Sequence, residues 1–248
     1  MGNYYPSLSG LIYDLTKPVG HSVDGDLEFY YEEIKEINGQ ILEAGVGTGR
    51  MLIPFLRKGI DIEGIDNSQE MLEICKINLL KYKENTTLLL GDLVETEFEK
   101  KYEAILMPTG TICLIEEREK VIKLIKKFKS ILTKNGKVII DLIFPSNFKA
   151  GTIHSFDYKI DDNRSIKLTN ISKEIDWVNQ KTISELVYED FHKEKLVETQ
   201  RQQFNLNWFG VDEFKAILKE AGFIDIKVII NYGMKRVLNL KTVTIIAK

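Results

Sequence analysis

The sequence predicts an α/β protein: a mostly parallel sheet with helices on its faces, and an antiparallel β insert late in the chain. Three observations carry this. From residue 40 to 144, short apolar runs alternate with helical patterns, the order that side-by-side parallel strands joined by crossovers require. Val138-Ile139-Ile140 is continuously apolar, as a strand covered on both faces must be. From about residue 151 the period falls to two, with Ile175 and Trp177 alternating with polar neighbours.

Leu27, Tyr30, Tyr31 and Ile34 recur at three and four residues, which predicts an amphipathic helix over 23–37 with an acidic outer face. Residues 40–44 form the first strand. Three glycines follow in 45–49, and then the helical set Leu52, Ile53, Phe55 and Leu56, in which Pro54 should cause a kink and Gly59 the end. Residues 60–65 are the second strand. Ser68 is placed to cap a helix whose apolar face carries Met71, Leu72, Cys75 and Leu79. Residues 86–90 and 102–107 are the third and fourth strands, ending at Gly91-Asp92 and Pro108-Thr109-Gly110. Val121, Leu124, Ile125, Phe128 and Leu132 mark another helix, closed by Asn135-Gly136, and 137–144 is the fifth strand.

Alternating runs at 183–188 and 196–206, with turns at 178–181 and 192–195, predict an antiparallel insert of three or four strands. Phe214, Ile217 and Leu218 then mark a helix over 211–221, ended by Gly222. The runs 224–230 and 242–247 are too close in sequence to pair in parallel, so they form an antiparallel pair. The sheet therefore has seven strands. The expected domains are 1–150 with 208–248 as the main body, and 151–207 as an insert that covers the site.

Of the residues, 44% are hydrophobic and 29% charged, which excludes a disordered or fibrous chain, and the net charge of −3 argues against a nucleic-acid partner. Cys75 and Cys113 each lie in apolar segments without metal-ligand spacing, so neither a disulfide framework nor a metal site is expected. No apolar stretch is long enough to span a bilayer, and residues 1–20 lack a basic region followed by an apolar one. The expectation is a cytoplasmic protein acting on a small-molecule partner, with no membrane partner, and with a homodimer allowed.

Gly45, Gly47 and Gly49 would let the backbone approach a ligand at the carboxyl end of the first strand. Asp66 ends the second strand, 21 residues after Gly45, where a carboxylate can accept hydrogen bonds from both ribose hydroxyls. An adenosine-type ligand follows. A dinucleotide requires Gly-x-Gly-x-x-Gly, but here the third glycine comes one residue early and Arg50 follows it. Glu43, immediately before the glycines, would repel a pyrophosphate and suits the ammonium of a methionine moiety, which favours S-adenosylmethionine over NAD.

The run Ile41-Leu42-Glu43-Ala44-Gly45-Val46-Gly47-Thr48-Gly49-Arg50 resembles the first motif of class I S-adenosylmethionine-dependent methyltransferases. Gly64-Ile65-Asp66-Asn67-Ser68 with Met71-Leu72 resembles their second motif, and Gly91-Asp92-Leu93 their third. The resemblance covers residues 25–145, and Trp208 to Phe223 is similar to the family's final helix. It implies a Rossmann-like fold with Gly45, Gly47 and Gly49 under the methionine and ribose, and Glu43 at the ammonium. It further implies Asp66 at the ribose, Asp92 and Leu93 at the adenine edge, and contacts from Met71 and Met107. Arg50 and Asn67 stand within the matched motifs and join the cofactor-binding set. The Tyr13-Asp14 leader, early helix and insert resemble the small-molecule branch that includes sugar-amine and glycine N-methyltransferases.

The activity implied is in-line methyl transfer to a nitrogen or oxygen of a small molecule. Alignment and water exclusion would carry most of that reaction. A base helps a protonated acceptor, and of His21, His154 and His192 the one that opens the insert, His154, is the candidate; Tyr13 is implied over the methyl end of the cofactor. Met107-Pro108-Thr109-Gly110 lacks the Asp/Asn-Pro-Pro-aromatic set of enzymes that methylate nucleobase amines. Two alternatives remain: a noncatalytic module that binds S-adenosylmethionine or S-adenosylhomocysteine, and an NAD(P)-dependent oxidoreductase.

Overall fold

The computed structural model describes residues 7–233 and 240–248. In chain order the first half comprises α1 (Ser7–Thr16), α2 (Asp26–Ile34), β1 (Ile41–Ala44), α3 (Leu52–Arg57), β2 (Ile62–Asp66), α4 (Gln69–Tyr82), β3 (Leu88–Leu90) and β4 (Tyr102–Met107). After these come α5 (Arg118–Ile131), β5 (Leu132–Ile143), β6 (Ile153–Lys159), β7 (Arg164–Asp176), β8 (Lys181–His192) and β9 (Lys195–Asn207). The chain closes with α6 (Val211–Glu220), β10 (Ile226–Ile230) and β11 (Thr242–Ala247). Part of the connection between β10 and β11 lies outside the described residues.

Seven strands form one sheet in the order β10-β11-β5-β4-β1-β2-β3, and only β11 is reversed, antiparallel to both β5 and β10. This is the Rossmann-like, class I methyltransferase arrangement. The chain leaves β1 toward β2 on one side and later returns to place β4 on the other, so the crevice between the carboxyl ends of β1 and β4 is the topological switch point where such sheets bind ligands. The insert is a second, antiparallel sheet in the order β6-β7-β8-β9.

Both faces of the large sheet are covered. In β5, Val138, Ile140 and Leu142 enter the core beneath α5 and α6, while Ile139 enters the core beneath α2, α3 and α4. Consecutive side chains point to opposite faces, so a strand buried on both sides must be apolar at every position. Ser68 caps α4 as expected, its hydroxyl accepting the Met71 N–H at 3.2 Å.

Three expectations are corrected. Pro54 is the third residue of the six-residue α3, within the first turn, where a proline lacks no intrahelical bond, and it ends up as an ordinary helix-start residue. Asn135-Gly136 does not close α5. That helix ends at Ile131 and runs directly into β5, where residues 133–136 form an irregularity in the pairing with β4. Finally, residues 7–16, read only as a leader, form α1. Its Leu8 and Ile12 pack against Ile166 and Tyr188 of the insert, and the Leu8 N–H donates to the Gln200 side chain at 3.1 Å. Among the described residues, no helix is long and apolar enough to cross a membrane.

Candidate active site

A cavity of about 690 Å³ opens at the switch point. The turn after β1 contributes Gly45 and Gly47; the end of β2 contributes Asp66 and Asn67, and α4 contributes Met71. Asp92 and Leu93 enter after β3, and Met107, Thr109 and Thr111 from the end of β4 onward. Tyr13 of α1 and Lys17 just beyond it form one side, and Phe204 and Leu206 of β9 close another. The insert thus supplies a wall of the cavity.

The glycines do different work. Gly45 has φ +82°, and a Cβ there would lie 2.5 Å from Thr111 Cγ2, so the turn packs directly on the segment after β4. Gly47, at φ +56°, faces open space, with the nearest atom to a Cβ being Tyr13 Cε1 at 3.9 Å. Gly49 is not in the cavity wall. A Cβ on it would meet Cys75 Sγ at 2.8 Å, so this glycine lets α3 approach α4.

Asp66 is buried and pins the turn: Oδ2 accepts the Gly47 N–H at 2.8 Å and Oδ1 accepts the Ser68 N–H at 2.9 Å. Burial raises its pKa above the usual carboxylate range, and the N–H groups of Ser68, Gly47 and Asn67 oppose that rise. Asp92 accepts the Val94 N–H at 2.8 Å in an Asx turn. Both carboxylates therefore shape loops and line the cavity at once.

Glu43 lies behind the glycine turn and is not itself among the lining residues; it is 3% exposed, with no hydrogen-bond partner for Oε2 among the described residues. Burial pushes its pKa up to about 8, with the Arg50 charge acting in the opposite direction. Arg50 does not line the cavity. Its guanidinium donates to Asp26 Oδ2 at 2.6 Å and Oδ1 at 3.2 Å and to the His21 carbonyl at 2.7 Å, and it also bonds the Tyr13 hydroxyl. Arg50 thereby ties the segment before α2 to the glycine turn.

Tyr13 lines the cavity, and burial raises its pKa. His154 does not line it. It stands exposed on β6, paired with Asn170 of β7 and three strands from β9, a displacement of about 14 Å at the usual strand spacing. The strand of the insert that lines the cavity is β9, at the opposite edge.

Sequence reasoning missed Lys17, Thr109, Thr111, Phe204 and Leu206. The spacing of Leu8, Ile12 and Leu15 could have revealed α1, which brings Lys17 to the cavity. Nothing local marks Thr109. Its left-handed φ of +52° is held from a distance, since its N–H donates to Asp141 Oδ2 at 2.8 Å. Asp141 is fully buried in β5 and also accepts from Thr244 Oγ1 at 2.7 Å and from the Tyr232 hydroxyl at 2.8 Å; burial pushes its pKa up to about 6.

Comparison with known proteins agrees with this geometry. Residues 41–136, from β1 into β5, match the family model described as a methyltransferase domain. An uncharacterized methyltransferase of Bacillus cytotoxicus is 33% identical over 121 residues, which are 46% of this chain and 55% of that protein, so the chain spans about half the length of that relative. An S-adenosylmethionine-dependent methyltransferase from Clostridium acetobutylicum superposes with a TM-score of 0.71 at 18% identity, covering 96% of each chain. The sugar N-methyltransferase KedS8 from Streptoalloteichus gives 0.75 at 17% identity over 95% of this chain and 91% of its own. At such identities the structures establish the fold. The chain thus has the class I methyltransferase fold, and its residues 41–136 are similar to a methyltransferase domain.

Proposed function

We propose that this protein transfers a methyl group from S-adenosylmethionine to a nitrogen or oxygen of a small-molecule acceptor. The observation that carries the proposal is Glu43: a buried carboxyl oxygen without a partner, placed directly before a glycine turn that faces an open cavity. Such a group is costly unless something pairs with it, and a ligand ammonium would. A pyrophosphate carries no cation to pair with it.

The residues present fit the cofactor. Gly47 leaves room beside the turn, Asp66 can accept ribose hydroxyls, and Asp92, Leu93 and Met71 bound the adenine end. When bound, the sulfonium supplies an activated methyl group with a thioether as leaving group. The chain's own part is alignment and exclusion of water: Tyr13 covers the glycine turn from α1, while Phe204 and Leu206 close the cavity from the insert. Tyr13, with its pKa raised, is a hydrogen-bond donor at neutral pH and not a base. No histidine among the described residues lines the cavity; the lining side chains able to take a proton from the acceptor are the carboxylates Asp66, Asp92, Glu116 and Glu117. The likeness in fold to a sugar N-methyltransferase, which extends through the insert, supports a small-molecule acceptor.

Calorimetry with S-adenosylhomocysteine and NAD tests this. Binding of the thioether nucleoside is expected, and binding of NAD alone would defeat the reading. Asp66→Ala should weaken that binding by about 1–3 kcal/mol, the usual cost of losing hydrogen bonds to a charged group. It should also lower the urea midpoint, because the Gly47 and Ser68 N–H groups lose their acceptor. Unchanged affinity would count against the ribose role.

Glu43 gives the binding a pH signature. With the free carboxyl titrating at about 8, pairing with an ammonium requires a proton to leave at any lower pH. Affinity should therefore rise with pH up to about 8 and fall again once the ligand's own ammonium deprotonates, and near pH 7 calorimetry in buffers of different ionisation enthalpy should register release of about one proton. Glu43→Gln should abolish the release. The same proton count in that variant would assign the titration elsewhere.

A further inference from the structure

The charged side chains that line the cavity are not equally satisfied. Asp66 and Asp92 accept backbone N–H groups, as described above. Glu117 holds Lys120 at 2.5 Å, and Glu116 holds Lys181 at 2.8 Å. Lys17 remains. Among the described residues its ammonium makes no ion pair and no hydrogen bond; it meets the Tyr13 ring, with Nζ 4.7 Å from the centroid.

The two charges that act on it, Arg50 and Asp26, do not neutralise it. Asp26 is already committed to Arg50 at 2.6 Å, and the Arg50 charge repels a second cation. Burial and Arg50 hold the Lys17 ammonium below the usual lysine range. The face of one aromatic ring offsets only part of such a loss of hydration. A half-buried cation left without a counter-charge on a cavity wall is an incomplete ion pair. Its position is informative as well, because Tyr13, one turn earlier, stands over Gly47 and next to Arg50, at the end of the cavity bounded by the glycine turn, behind which Glu43 lies.

We propose that Lys17 is a carboxylate-binding residue of this cavity, taking either the amino-acid carboxylate of the cofactor or a carboxylate carried by the acceptor. The assignment rests on the methyltransferase reading and adds to it. Glu43 and Lys17 would then form a pair of opposite charges facing the ammonium and carboxylate of one amino-acid group, or Lys17 would select acidic acceptors.

The test uses the full chain and two nucleosides that differ at that end. S-adenosylhomocysteine carries the amino-acid group, and methylthioadenosine keeps the thioether and adenosine but lacks it. For the cofactor carboxylate, Lys17→Met should weaken S-adenosylhomocysteine about tenfold to a hundredfold while methylthioadenosine stays within about twofold, and Lys17→Arg should recover most of the loss. For the acceptor carboxylate, both nucleosides should bind Lys17→Met normally, and benzoate should bind the S-adenosylhomocysteine-saturated wild type but not the saturated variant. Equal weakening of both nucleosides, or no change in either nucleoside or in benzoate, overturns the proposal. Wild-type protein that binds neither nucleoside would instead defeat the methyltransferase reading, and this assignment with it.

Discussion

Arg50→Met should lower the unfolding free energy by about 3–5 kcal/mol, the largest effect expected from a single substitution in this protein. The Asp26 and Arg50 side chains are 0% and 4% exposed and meet at 2.6 Å. Removing the guanidinium leaves the Asp26 carboxylate in the interior with the Val23 N–H, 2.7 Å from Oδ1, as its remaining neighbouring donor. The cost arises from the stranded charge more than from the lost pair. Arg50→Met combined with Asp26→Leu should accordingly recover much of the stability, since well-packed apolar residues can replace a buried pair at little cost. Urea midpoints of the three variants measure this. A single-variant loss below about 1 kcal/mol would mean that water reaches the pair. Because Arg50 also bonds the His21 carbonyl and Tyr13, the single variant should weaken nucleoside binding as well.

Gly45→Ala and Gly47→Ala should separate stability from binding within one turn. At Gly45 the added Cβ must adopt φ +82° and would stand 2.5 Å from Thr111 Cγ2. The left-handed conformation costs about 1–2 kcal/mol and the overlap about 1–3 more, so the urea midpoint should drop sharply. Thr111→Ala in that background should recover the part due to overlap and not the part due to φ. At Gly47 the φ is +56° and the nearest atom is 3.9 Å away, so the loss of stability is confined to the backbone term, about 1–2 kcal/mol. Because Gly47 lines the cavity, S-adenosylhomocysteine affinity should fall at least about tenfold. If Gly47→Ala bound the nucleoside as wild type does, the ligand would not pass beside this turn.

How far the sequence reached can be traced through particular residues. The strands of the large sheet were legible because burial on both faces leaves a mark at every position, as in Val138-Ile139-Ile140. Ser68 was legible because capping is a local hydrogen bond with a local residue preference. Pro54 misled because its effect depends on where the helix begins, and α3 begins two residues before it. Asn135-Gly136 misled because a turn signal does not say whether it ends a helix or interrupts a strand.

In the site, Asp66, Asp92 and the glycine turn were found because loops at the ends of adjacent parallel strands converge by topology alone. The roles were less legible than the positions. Gly49 and Arg50 belong to the same motif as Gly47, yet Gly49 serves helix packing and Arg50 serves Asp26. His154 could be ranked only by its position in the chain, and the order of strands in the insert places it at the far edge.

By itself the sequence determined the order of strands and helices from α2 through β5, the reversed terminal strand, and the glycine and carboxylate residues at the switch point. These follow from periodicity, turn chemistry and chain connectivity, all of which act over a few residues or through topology. Tertiary structure alone decided which charges are paired. Arg50 is neutralised by a residue 24 positions away, Glu117 by one three positions away, and Lys17 by none among the described residues. Pairing depends on distances of a few ångströms between side chains brought together by packing, and the linear order of residues does not record those distances.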